Sequence, residues 1–153
     1  MNKETVLLKS GLIALQFSFT GLIIAYLIMV IISSDIFWIS DLGYIGNIVL
    51  GAISMLLCSF FIGKLSGFLI KLKKWNFILS GVLTGFLVLW SGSFIGSLIG
   101  LFQEGLFNSY NSTPFFDYIF KPFYWITTFG FLPIVILGPL YGWRIKKLPL
   151  TQG

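Results

Sequence analysis

The sequence predicts an all-α membrane protein, a polytopic chain of four transmembrane helices with both termini in the cytoplasm. Three observations predict it. The composition is too apolar for water: 57% of residues are hydrophobic and 10% charged, where a soluble domain carries about 45–50% and about 25%. Ten basic and five acidic side chains cannot cover this much Phe, Leu and Ile, and mean hydropathy is +0.96. Four apolar runs of spanning length follow one another. The basic residues fall almost entirely in alternate breaks between them.

The first run covers residues 7–32, interrupted only by Lys9 and Gln16. As a helix it would be about 39 Å long, against a hydrocarbon core of about 30 Å. It is too long for the apolar region of a signal peptide, and no small-x-small cleavage site follows, so it reads as an uncleaved span. Residues 33–43 form a polar break with Asp35 and Asp41. Phe37, Trp38 and Tyr44 around it suit the headgroup level, where a ring is half wet and half dry.

The second run covers residues 45–70. Lys64 appears near its end, but the helical pattern continues through Leu65, Phe68, Leu69 and Leu72. Lys64, Gly67, Lys71 and Lys74 fall at i, i+3, i+7 and i+10, a spacing that puts them on one helical face. Lys64, Lys71 and Lys74 thus read as a basic face at the cytoplasmic end, either snorkelling to the interface or meeting anionic lipid. Trp75 and Asn76 mark a tight turn. The third run, residues 77–102, contains no charged residue.

Residues 103–121 form the longest break, with Glu104, Asn108, Asn111, Pro114 and Asp117. Its second half is too aromatic for a solvated loop and predicts a short interfacial helix over residues 115–120. Asn111-Ser112-Thr113 matches a glycosylation acceptor, a triplet that arises often by chance. The fourth run covers residues 123–143 and contains Pro133 and Pro139, with Gly130, Gly138 and Gly142. Proline removes a backbone donor and clashes with the preceding turn, which predicts a kink near Pro133. No repeat or linker divides the chain, so residues 1–153 read as one integral membrane domain.

Orientation follows from the positive-inside rule. Lys3, Lys9, Lys64, Lys71, Lys73, Lys74, Arg144, Lys146 and Lys147 share one side, and only Lys121 lies on the other. Richness in Lys and Phe with a single Arg suggests an AT-rich genome and a bacterial inner membrane.

Several chemistries are excluded. Histidine is absent, which removes His-based metal sites, haem ligation and acid–base catalysis. Cys58 has no partner for a disulfide or a CxxC motif and reads as a packing residue. No Asp, Glu or Arg lies in the core of a run, so nothing can activate a serine. No nucleic-acid recognition module is present. The expectation is a non-enzyme without cofactor or metal.

Helices in lipid associate through small residues and polar contacts. In the third run Gly81 and Gly85 are four apart, as are Gly92, Gly96 and Gly100. The second run offers Ser59, Gly63 and Gly67 at the same spacing. These form the expected packing faces, either between helices of one chain or between subunits. Gln16 and Asn47 are the strongest polar groups inside the runs and are expected to form interhelical hydrogen bonds. The functional expectation is an accessory or structural membrane subunit, packed in the bilayer against another membrane protein or a second copy. An immunity protein against a membrane-active toxin and an oligomeric channel or carrier are the other two readings.

Overall fold

The computed structural model describes residues 2–38, 45–105 and 113–149. All regular secondary structure among the described residues is helical, without strands, and four helices are long and apolar enough to cross a membrane. We label them α1 (Lys3–Ser33), α2 (Ile45–Lys71), α3 (Phe77–Gly100) and α4 (Lys121–Lys146).

Local chemistry sets the helix ends. Asn2 caps α1, its Oδ1 accepting from the Thr5 N–H at 2.9 Å. Asn76 caps α3 by accepting from the N–H groups of Ile78 and Leu79. An asparagine here satisfies donors that the first helical turn leaves free. Between α2 and α3, Lys74 adopts φ 56°, the left-handed conformation that commonly follows a helix end. The Trp75 N–H then donates back to the Leu69 carbonyl at 3.1 Å.

The fourth helix departs from expectation at its start. Residues 115–120 do not form a separate interfacial helix. A π-helical turn, Phe116–Phe120, runs directly into α4, and the continuous helix Phe116–Lys146 has 31 residues. A second π-helical turn, Leu101–Gly105, extends α3. Its facing turn carries the Lys121–Asp117 ion pair at 2.6 Å, one helical turn apart. Helix α4 is continuous through Pro133 and Pro139. The glycosylation triplet and Asp41 fall outside the described residues, apart from Thr113.

Consecutive helices pack antiparallel, α1 on α2, α2 on α3 and α3 on α4, with α4 returning more loosely to α1. The interior is made of small side chains. Ser10, Ser59, Ser66, Ser80, Thr84, Ser93 and Ser97 are buried, while Leu12, Phe19, Leu57, Phe61, Phe94 and Leu132 are among the many large apolar side chains facing out. Water would drive the opposite arrangement. In lipid, large apolar side chains gain nothing from moving inward and close packing of small residues holds the helices. A core of larger residues closes one end: Ile13, Ile70, Tyr141 and Ile145 with Phe17, Phe77 and Leu148. This is also the end where the basic residues gather.

Candidate functional site

Glycine positions decide how close the backbones come. On α3, a methyl at Gly81 would overlap the Gly138 carbonyl of α4, and one at Gly85 would meet Ile134 at 2.9 Å. Further along, Gly92 faces Met55 of α2, Gly96 lies against Asn47 and Gly51, and Gly100 lies beside the Asn47 amide. The five glycines occupy one side of α3 by helical phase, yet that side meets α4 in its first half and α2 in its second. Ser59, Gly63 and Gly67 do not oppose this ridge. Gly63 sits under Ala14 and Gly67 under Ser10, so they hold α1, and the fully buried Ser59 closes its hydroxyl onto the Leu56 carbonyl of its own helix at 2.7 Å.

Gly11, Gly138 and Gly142 also make close approaches, though the sequence pattern assigns them to no packing face. Gly142 is set against the Phe77 carbonyl and Gly11 against Phe60. Gly138 and Gly142 are four apart, the signal that could have found them.

The expected basic face of α2 is rearranged. Helix α2 ends at Lys71, so Lys74 lies beyond it in the left-handed turn. Lys71 is half-buried and donates to the Lys146 carbonyl of α4 at 2.6 Å. Lys64 stays along its helix with its ammonium 5.2 Å from the Phe60 ring. Two further cations of this end also lie over rings, Lys146 over Phe77 at 4.6 Å and Lys147 over Trp143 at 3.6 Å. These geometries favour the cation by attraction to the ring face. Glu4 is the one acidic residue in the first turn of α1 at this end.

Among the described residues, Gln16 and Asn47 form no hydrogen bond to another helix of the chain. The reason for Gln16 is helical phase. Ala14, Phe17 and Ser18 face the bundle, and Gln16 lies about 200° from Ala14 at roughly 100° per residue. Its side chain is exposed, on a face with Leu12, Phe19, Ile23 and Leu27. Thr20, on the same face, donates to the Gln16 backbone carbonyl at 3.0 Å, which leaves the Gln16 carboxamide alone among large apolar side chains.

Besides the bond from Lys71, two interhelical hydrogen bonds come from residues to which the sequence pattern assigns no role. Tyr141 donates to the Gly63 carbonyl at 3.3 Å, joining α4 to α2. Trp90 Nε1 donates to Thr127 Oγ1 at 3.2 Å, joining α3 to α4. Tyr141 is buried, so Tyr141→Phe should lower stability in detergent by about 0.5–1.5 kcal/mol. Denaturant titration followed by circular dichroism measures this. No loss would show that the Gly63 carbonyl is satisfied equally well within α2.

Among the described residues no group of His, Cys, Asp or Glu could hold a metal ion, and Cys58 is a free, half-buried thiol. The arrangement offers two surfaces for interaction, the polar-marked outer face of α1 and the basic end. No protein-family model, curated protein or solved structure matches the chain.

Proposed function

We propose that this chain is a non-enzymatic integral membrane protein with both termini in the cytoplasm, working as an accessory subunit that associates laterally with another membrane protein through the outer face of α1. The supporting observation is Gln16. An unpaired carboxamide facing hydrocarbon is costly, because lipid offers it neither donor nor acceptor. A partner helix carrying a polar side chain at the same depth would satisfy it, which is how polar groups join helices in membranes. The glycine faces are unsuited to this role because they are filled within the chain. The closed end at Ile13, Ile70, Tyr141 and Ile145 argues against a solute path through a single bundle. The basic end fits a cytoplasmic surface with anionic headgroups.

The test is purification in mild detergent from the native membrane, with mass spectrometry of what accompanies the chain. A stoichiometric partner is expected with the natural chain and a tenfold or greater loss with Gln16→Leu, without loss of folding. A chain that elutes alone, or a partner held equally by Gln16→Leu, overturns the proposal. A second copy as the retained partner would make the same face a homo-oligomer contact.

A further inference from the structure

We propose that the seam between α1 and α4 holds one lipid acyl chain. The inference rests on the reading that the bundle lies in a bilayer, and is independent of the partner at Gln16. Burial along α1 is confined to Val6, Ser10, Gly11, Ile13 and Ala14. Beyond Ala14 its inward residues Phe17, Ser18, Gly21, Leu22 and Ala25 are only half-buried. They form one wall of a cavity of about 100 Å³. Thr84, Gly85 and Val88 of α3 and Gly130, Pro133 and Leu137 of α4 form the other. At Gly21 the seam is open: a methyl there would meet only Leu137 Cδ1, at 3.7 Å. Towards the basic end, Ile13, Tyr141 and Ile145 close the space.

The lining selects the occupant. It contains no charged side chain. The Thr84 hydroxyl is held by the Ser80 carbonyl at 2.7 Å, and the Tyr141 hydroxyl by the Gly63 carbonyl. Ser18 is the remaining hydroxyl in the wall, too little to hold a polar ligand or a water cluster. The space is too small for a helix, which is about 10 Å across. An engineered cavity of about 150 Å³ accepts one benzene, so this one takes a short stretch of an unbranched hydrocarbon chain. The α1 side of the seam is part-exposed, so the chain can enter sideways from the bilayer. The ligand chemistry is a linear acyl chain, from either a phospholipid or a free fatty acid.

Native mass spectrometry of the purified chain tests this, with phosphatidylglycerol or oleate added in separate arms. Flotation with phosphatidylglycerol vesicles reports membrane insertion independently, so failure of the seam is distinguishable from failure of the bilayer reading. The natural chain should retain one added molecule under activation that strips surface lipid. Retention of phosphatidylglycerol alone identifies a phospholipid, and retention of oleate identifies a free acid as sufficient. Gly21→Leu, whose side chain fills the seam, should reduce retention at least tenfold. Ile23→Phe, which adds bulk on the exposed side of α1, should leave it unchanged. Should Gly21→Leu fail to fold, Ala25→Leu one turn along the same wall should show the loss. Absence of a retained molecule with the natural chain, or equal retention by a folded seam variant, overturns the proposal.

Discussion

Gly142→Leu should prevent α3 and α4 from packing and abolish the folded, monodisperse protein in detergent. The backbone of α4 at Gly142 is set against the Phe77 carbonyl, and at Gly138 against Val82 and the Gly81 carbonyl carbon. A side chain there meets backbone, which cannot rotate away as a flexible side chain would. Overpacking a close-fitted site typically costs about 1–3 kcal/mol and occasionally more, and a backbone–backbone approach belongs at the upper end or beyond. Gly81→Leu should behave alike from the opposing helix. Gly46→Ala is the control, because nothing lies within 4 Å of a methyl at Gly46. That change should leave stability unchanged or raise it slightly, since alanine favours the helix over glycine. Size-exclusion chromatography with thermal unfolding reads all three. A Gly142→Leu protein that elutes and melts like the natural chain would show that α3 and α4 are not in this close contact.

Gly67→Leu should have the second largest effect, and a local one. All buried residues of α1 lie between Val6 and Ala14, and this short stretch rests on Gly63 and Gly67 of α2. A leucine at Gly67 would displace Ser10, which is fully buried and bonded to the Val6 carbonyl at 2.8 Å. Helix α1 then loses its main attachment, since its contact with α4 is looser, while the α2–α3 and α3–α4 contacts at Gly92, Gly81 and Gly142 are untouched. Hydrogen exchange should therefore rise throughout α1 and stay low in α3 and α4. A uniform rise in all helices would mean that the bundle unfolds as one cooperative unit and that α1 is not separately anchored.

Features that depend only on a helix's own run of residues are the legible ones. Hydropathy locates the first three helices closely because an apolar run of spanning length has few alternative structures. The start of the fourth helix was not legible. Phe116, Tyr118 and Phe120 with Asp117 read equally well as an interfacial segment, and only the continuous backbone shows them as the first turns of α4. Glycine spacing announced smooth faces without saying what lies on them. Gly81 and Gly92 have nearly the same helical phase, yet one meets α4 and the other α2. The direction of Gln16 is not legible for a related reason: polarity within a run suggests a bond to a neighbouring helix, but which neighbour it can reach depends on which side of α1 the bundle occupies.

The sequence by itself determined the all-helical class, four membrane-length helices, the collection of cations into alternate breaks and the absence of histidine chemistry. These depend on composition and on local, one-dimensional pattern, which survive whatever the neighbours are. The tertiary structure alone decided that the glycine faces are filled within the chain, that Tyr141 and Trp90 rather than Gln16 and Asn47 bridge helices, and that α1 opens along α4 beyond Ala14. Each depends on the relative rotation and crossing of helices, set by the sum of many small side-chain fits across chain-distant positions, and no spacing within a single helix encodes that.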